Sequence, residues 1–583
     1  MQKGFRSAIT SSLTNFRHQL SYLNALPQLT ILGLITGCLA AVLIVSFRAL
    51  IELGTSLYLP NSEGFETLPF YLRFLVPFAG AVIIGIIFQF LPKRSIRVGA
   101  GYVLDRLYNF QGHLAKSNFW VQFFAGALCL ITGQSVGREG PAVHLGAGAA
   151  SGFGKVLKIP NNSLRNLVAC GVAAAISASF NTPLAGVIFA MEVVLMEYTI
   201  TGFVPVIMAS FAGALITRLA FGTEFVFSVQ DIAITSLTEL PFLLVAGVLI
   251  GLLATVFSKL MLLKNPLHAT PIFIRISFAG AVTGVIALYL PEILGLGYDT
   301  VAEAMLDHTE VKLLTLILIG KIIATGVSVN LGMPGGLIGP TLFIGAIFGA
   351  ILSFFAHWAY PIHASGTTFY VLVSMTASLG AVLNAPLTAL VTMLELTNNP
   401  TIIFPSMLVV VISCLTTRYF IGDQGIFVTS LKSQGLIVKS TSFENDLRRI
   451  GIRSLMNVKL VSSPYKIDHK KAIELLEKRP DWIVLNELGK TKRLLRAADL
   501  ARFLEDAPNA ILTLEKPIDL LEVPGKKLTM PPIHEQATVL EAHLLMKSES
   551  VEAVYVQNPR QLPLETEILG VVTRDDINNY YSV

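Results

Sequence analysis

Charge is what this 583-residue chain has least of: 14% of its residues are charged against 53% hydrophobic, and mean hydropathy is +0.65. That composition argues against an ordinary water-soluble enzyme. Cysteine is scarce too. Cys38, Cys129, Cys170 and Cys414 lie in apolar stretches and share no CxxC spacing, which argues against a disulfide framework and against a zinc site. Net charge is only +5, and no basic run extends beyond pairs such as Lys470-Lys471 and Lys492-Arg493, so nucleic-acid binding has no electrostatic footprint. The apolar region holds no pair of histidines at i, i+4 and no Ser/His dyad. No catalytic residue and no metal are expected, and the chain is read as a non-enzyme. His144 is read as a residue on a helix face.

The charge that is present is unevenly placed. Residues 441–583 hold 41 of the 81 charged side chains, which implies lipid as the solvent of the first part and water as the solvent of the last. The first long apolar span, Leu29 to Phe47, lacks a small-residue cleavage site and follows a polar lead, so it is expected to persist in the mature protein. That lead carries Lys3, Arg6 and Arg17 without an acid, which places the N-terminus, and with it the C-terminal part, in the cytoplasm of a multi-pass protein of a bacterial inner membrane or plasma membrane.

Further apolar spans are expected at 69–92, 119–134, 166–195, 203–222, 241–263, 271–290, 311–329, 337–355, 368–396 and 402–420. A simple crossing needs some 20 residues, so pieces of ten to fifteen interrupted by Gly and Pro read as half-helices, which in membranes mark a transport path. The chain also repeats. Asn181-Thr182-Pro183-Leu184 precedes Glu192 as Asn384-Ala385-Pro386-Leu387 precedes Glu395, at an offset of 203, and Gly140-Pro141 matches Gly339-Pro340 at an offset of 199. The fold expected is an all-α polytopic membrane protein with an internal, inverted repeat and broken helices, followed by a cytoplasmic α/β region. Its divisions are a segment 1–28, a membrane domain 29–430 with halves 29–222 and 241–420, a linker 431–453, and two α/β copies at 454–512 and 525–583.

Two glycine-rich breaks carry the chemistry. Gly137-Arg138-Glu139-Gly140-Pro141 and Gly335-Gly336-Leu337-Ile338-Gly339-Pro340 each open a helix, whose free N–H groups and positive dipole end attract an anion. Two such ends facing each other hold an anion without a full buried cation, as conduction requires. Glu139, an anion on a short arm, would compete for that seat when ionised and leave it when protonated. The plainer alternative is that Glu139 caps its helix or pairs with Arg138.

These motifs, with the doubled Asn-x-Pro-Leu, resemble the CLC family of chloride channels and chloride/proton antiporters over residues 30–430, and the C-terminal copies resemble a pair of cystathionine-β-synthase (CBS) domains. The resemblance implies a homodimer with one anion path per subunit, an external glutamate gate sensitive to voltage and pH at Glu139, and anion coordination by the backbone amides of Arg138, Glu139, Gly140, Leu337, Ile338 and Gly339. It also implies a serine and a tyrosine at the central anion site, where this chain has Ala100 and Phe427. An inner proton-carrying glutamate of the family corresponds here to Val193, with Glu197, one turn on, as the substitute acceptor or merely a solvated charge. In the CBS pair, Thr573 and Asp576 match a ribose-binding signature for an adenine nucleotide.

The function expected is therefore transport of chloride or a similar small anion across a lipid bilayer, with no cofactor required and with weak or absent proton coupling. The alternatives are a chloride/proton antiporter using another internal proton path and, in a different class, a cation-coupled solute symporter using Glu192 or Glu395. Both acids are read instead as acceptors for backbone or hydroxyl groups.

Overall fold

The computed structural model describes residues 15–22, 25–60, 64–223, 227, 233–263, 267, 269–306, 309–436, 442–486, 492–506, 517–557 and 568–581. Lys3 and Arg6 of the basic lead lie outside these residues. The chain forms two units, one of 29–156 with 165–438, the other of 1–28, 157–164 and 439–583.

The first unit is all helix. Among the described residues nine helices are long and apolar enough to cross a bilayer, and Pro183–Leu195, Thr367–Leu383 and Pro386–Thr397 are shorter apolar pieces. The expected spans 166–195 and 368–396 are each two helices, not one. The break has the same cause in both. Asn181 and Asn384 take left-handed backbone, φ 59° and 52°, which ends the preceding helix. Pro183 and Pro386 then open the next one, where a missing N–H costs nothing. Sequence reading also passed over two short helices, Gly99–Asn109 and Tyr298–Met305. Their apolar residues are too few for a hydropathy window to register.

The two halves are related by a pseudo-two-fold axis. Gly137 and Gly336, equivalent at the 199-residue offset, donate N–H to each other's carbonyl at 2.7 and 2.6 Å in an antiparallel bridge. Equivalent residues pairing antiparallel place the axis between them, so the halves run in opposite senses. The acids repeat the exchange. Glu192 accepts from the backbone N–H of Leu387 and Thr388 at 3.2 and 2.7 Å and from the Thr388 hydroxyl at 2.7 Å. Glu395 accepts from the N–H of Leu184 and Ala185 at 2.9 and 2.7 Å. Each carboxylate thus satisfies the orphan donors of the other half's broken helix, at the end where negative charge is favoured. Small residues let helices close in: a Cβ on Gly146 or on Gly171 would stand 2.2 Å from the other's carbonyl oxygen.

The second unit holds the α/β region. Leu460–Pro464, helix His469–Glu477, Trp482–Asn486, Lys492–Arg496 and helix Ala497–Asp506 follow one another as Pro532–His534, helix Val539–Ser548, Ala553–Gln557, Ile568–Thr573 and helix Arg574–Tyr581 do. In both runs the first two strands pair parallel and the second and third antiparallel. The copies are not closed on themselves, however. Leu528–Met530, from the second stretch, pairs with Lys492–Arg496 in the first sheet, and Asn457 bridges Val571 in the second. Buried Val484, Leu494, Met530, Ala553, Tyr555 and Val571 pack as one apolar cluster between the sheets.

Candidate functional site

The glycine bridge sets two helix starts against each other, Glu139–Leu157 from one half and Ile338–Ala359 from the other. The first N–H groups of a helix have no partner within it, and here one is turned on an acid. Glu139, fully buried, accepts from the backbone N–H of Gly339 at 3.1 Å through Oε2. Its Oε1 is buried without a hydrogen-bond partner. The carboxylate lies over the bridge itself, since a Cβ on Gly137 would stand 2.0 Å from Oε2 and one on Gly336 would stand 3.2 Å away. Glycine is required at Gly137 because a side chain would take the acid's seat, and at Gly336 because a Cβ would stand 2.4 Å from the Gly140 nitrogen.

Arg138 forms no salt bridge with Glu139. Its guanidinium turns to the rings of Phe180 and Tyr298, 5.2 and 6.0 Å from their centroids. The pairing alternative for Glu139 is therefore not what the structure holds. Gly140 is pressed onto the bridge, a Cβ there falling 2.7 Å from Gly336 Cα, while Leu337 and Ile338 are buried at the opposing start.

Ala100 is the second residue of Gly99–Asn109 and is buried. Its helix is tied to Glu139–Leu157 because the Gly99 N–H is shared by Gln122 Oε1 at 2.7 Å and His144 Nδ1 at 3.1 Å. His144 is thus no mere face residue. It is fully buried and stacks on Tyr102 at 5.0 Å. Phe427 belongs to Ile426–Ser433, which packs against Gly99–Asn109, and its partly buried ring joins the apolar core. Neither side chain offers a hydroxyl to an anion.

Val193 lies buried in a stretch of π-helix, Ala190–Leu195. Glu197 is neither a solvated charge nor a free acceptor, because Arg165 holds it in an ion pair at 3.1 Å with both side chains largely out of solvent. Arg165 also donates to Leu195 O at 3.3 Å, and the Tyr108 hydroxyl donates to the same oxygen at 2.6 Å. A relay through Glu197 would have to share that ion pair.

Sequence reading missed Lys321. This fully buried lysine donates to Ile293 O and Gly295 O, both at 2.9 Å, with its ammonium 4.5 Å from the Phe343 ring centroid. It thereby holds the turn that carries Leu296, whose Cδ2 falls 3.4 Å from a Cβ placed on Gly339, beside the Glu139 carboxylate. A cation inside the apolar run 311–329 was the available signal. At the 199-residue offset its equivalent is Gln122, which donates to Pro334 O at 3.0 Å in the other glycine-rich break.

In the α/β region Thr573 and Asp576 bond each other. Asp576 Oδ2 accepts from the Thr573 N–H and hydroxyl at 2.8 and 2.7 Å, and the Asp576 N–H donates back at 3.2 Å. The pair closes as the cap of the last helix. Trp482 lies on its strand with the Arg496 guanidinium 5.5 Å above its ring.

A two-fold pair of helix starts, with a carboxylate in place of an anion, can admit a small anion when that carboxylate leaves. Known proteins agree with this architecture. The chain is 29% identical over 418 residues, 69% of its length and 96% of the relative's, to a ClcB-like protein of Ralstonia nicotianae. It is 26% identical to an H(+)/Cl(-) exchange transporter ClcA of Vibrio parahaemolyticus, over 63% of this chain and 81% of that one. The fold matches a slow cyanobacterial Cl-/H+ antiporter with TM-score 0.62 and 19% identity, over 70% of this chain and 97% of that one. It also matches a eukaryotic CLC transporter with TM-score 0.62 and 18% identity, over 95% of this chain and 99% of that one. The family model for the voltage gated chloride channel matches residues 79–418, and the chain belongs to that family of anion-transporting membrane proteins.

Proposed function

We propose that the first unit passes chloride, or a similar small anion, between the opposed helix starts, with Glu139 as the gate. The observation that carries this reading is the Glu139 carboxylate seated on the Gly339 N–H, the place a permeant anion would take. Protonation removes the negative charge that competes for that N–H, so flux should rise as the external side is acidified. In liposomes, Glu139→Gln should abolish most of that pH dependence. An unchanged flux and pH profile would remove Glu139 from the role of gate.

Proton coupling is read as weak or absent. Val193 carries no proton and Glu197 is engaged by Arg165, which leaves the inner side without a free acid at the expected place. The opposite reading, chloride/proton exchange by another internal path, is favoured by the names of the Vibrio relatives. The reversal potential of the purified protein under a proton gradient at fixed chloride separates them. A shift with pH supports exchange.

We read the protein further as a homodimer with one path per subunit and with both termini cytoplasmic, in a bacterial inner membrane or plasma membrane. The α/β region is read as a CBS pair, whose repeated strand-helix-strand-strand-helix order supports it. An adenine nucleotide at Thr573 and Asp576 would have to open the cap those residues make.

A further inference from the structure

Cations gather at one end of the membrane unit without acids to meet them. Between residues 74 and 137 the sequence sets Lys93, Arg94, Arg97, Arg106 and Lys116 against a single acid, Asp105, and Lys155 has no acid between residues 140 and 191. Asp105 is buried and lies 3.9 Å from the Arg106 guanidinium. The other five cations are exposed and have no carboxylate in salt-bridge contact among the described residues.

The fold draws them together. Buried Asn118 pins the loop after Phe70–Phe90 onto the start of Lys116–Ile131, its Nδ2 donating to Arg94 O at 2.7 Å and to Arg97 O at 2.8 Å. Lys155, in the last turn of Glu139–Leu157, donates to the carbonyl of Leu114, two residues before Lys116. The charges of Lys116 and Arg106 both repel its ammonium. Three elements thus hold like charges close, and only a negative group from outside the chain offsets that repulsion. Lys155 spends one of its three donors on Leu114 and keeps two.

The surface next to these cations is apolar and exposed. Residues four apart share a helix face, and on Lys116–Ile131 the face that begins with Lys116 continues with Trp120 and Phe124, 54% and 60% exposed and stacked at 5.9 Å. On Phe70–Phe90 the exposed Ile83, Ile86 and Phe90 form a second such stripe, which ends just before Lys93. Aromatic rings below a lysine at a helix end suit the level where lipid headgroups meet acyl chains. A soluble anion would use the cations alone. A phospholipid uses both, phosphate on the cations and chains on the rings.

We propose that Lys116, Lys155 and the pinned loop with Arg94 and Arg97 form a binding site for the headgroup phosphate of an anionic phospholipid, whose acyl chains lie along Trp120 and Phe124. The proposal rests on the reading of this unit as membrane-spanning and not on what it transports.

Trp120 supplies the test. The chain has three tryptophans, and Trp358→Phe with Trp482→Phe leaves Trp120 as the one that fluoresces. The full chain so altered is reconstituted in phosphatidylcholine vesicles containing a minor share of phosphatidylglycerol with brominated chains, or the same share of brominated phosphatidylcholine. The anionic lipid should quench Trp120 more strongly, and excess inorganic phosphate should not reverse the difference. Lys116→Gln and Lys155→Gln should each lower the preference for the anionic lipid about fivefold, and Lys116→Arg should keep it. Lys432→Gln, at an exposed cation of another helix, should leave it unchanged. Equal quenching by the two lipids overturns the site. An equal fall in Lys432→Gln overturns it in favour of diffuse surface charge, and reversal by phosphate overturns it in favour of a soluble anion. Chloride flux plays no part in the readout, so failure here leaves the transport reading standing.

Discussion

The two halves of the membrane unit share one scaffold and differ where the scaffold is put to use. Left-handed Asn181 and Asn384, the prolines after them, the exchanged carboxylates Glu192 and Glu395 and the paired glycines 137 and 336 all obey the two-fold relation. At the helix starts the relation fails. Glu139 has Ile338 as its counterpart, and inside the preceding helices Gln122 has Lys321. Symmetric residues satisfy backbone groups that either half would leave bare. Asymmetric ones put one buried acid and two cations, Arg138 with Leu337 as its counterpart and the buried Lys321, into the arrangement, and a direction of response to protons requires such a difference.

The strongest challenge to this comparison is at the axis. Gly336→Ala would put a methyl 2.4 Å from Gly140 N, so chloride flux should be lost in liposomes. Normal flux would show that the bridge is dispensable.

Lys321→Met comes next, because it strips the donor from two buried carbonyls at about 1–3 kcal/mol each. Unfolding in detergent should report the loss, and Lys321→Gln, which copies Gln122, should recover part of it. Full stability in Lys321→Met would mean that the asymmetry has no structural weight.

Glu192→Gln and Glu395→Gln should each cost about 1.5–3 kcal/mol of charge-assisted hydrogen bonding. The former should cost more, because Glu192 also holds the Thr388 hydroxyl. A reversed order would break the equivalence of the two acids.

The smallest effect concerns Glu66, in the turn before the helix Phe70–Phe90. Burial first, then the charge of Asp299, push its carboxyl up from 4.5 to about 7, with Glu292 and Glu303 adding and the Thr300 hydroxyl opposing. Between those values the folded protein keeps a proton that the unfolded chain has released. The contribution to stability is fully present below pH 4.5 and is lost as pH rises toward 7. Glu66→Gln should flatten the fall in Tm between pH 5 and 7, by on the order of 1 °C in a chain this long. An unaltered slope would place the titration elsewhere.

Much of the site could be read before any coordinates. The broken helices, the Gly-Pro starts and the acid eleven residues after each Asn were visible because each is a local backbone requirement, and local requirements leave residues at fixed spacing. Lys321 was visible but not singled out, since a span read only for hydropathy absorbs one lysine without a change of sign. The interplay of Arg165 with Glu197, and of Gln122 and His144 with Gly99, joins residues 23 to 45 positions apart in the chain or on separate elements. No periodicity reports such contacts. The exchange of Leu528–Met530 into the first sheet was hidden for the same reason, because a three-residue strand fits either neighbour equally well.

The amino-acid sequence alone determined the apolar character of the first region, the repeat, the helix breaks and the acid placed at a helix start, because these follow from side-chain polarity and from the backbone preferences of Asn, Gly and Pro. Only the tertiary structure decided which donors that acid meets, which carboxylate serves which half, and that Arg138 turns to aromatic rings instead of to its neighbour. Such choices depend on distances between groups far apart in the chain, and the burial that makes each hydrogen bond count exists only once the helices have packed.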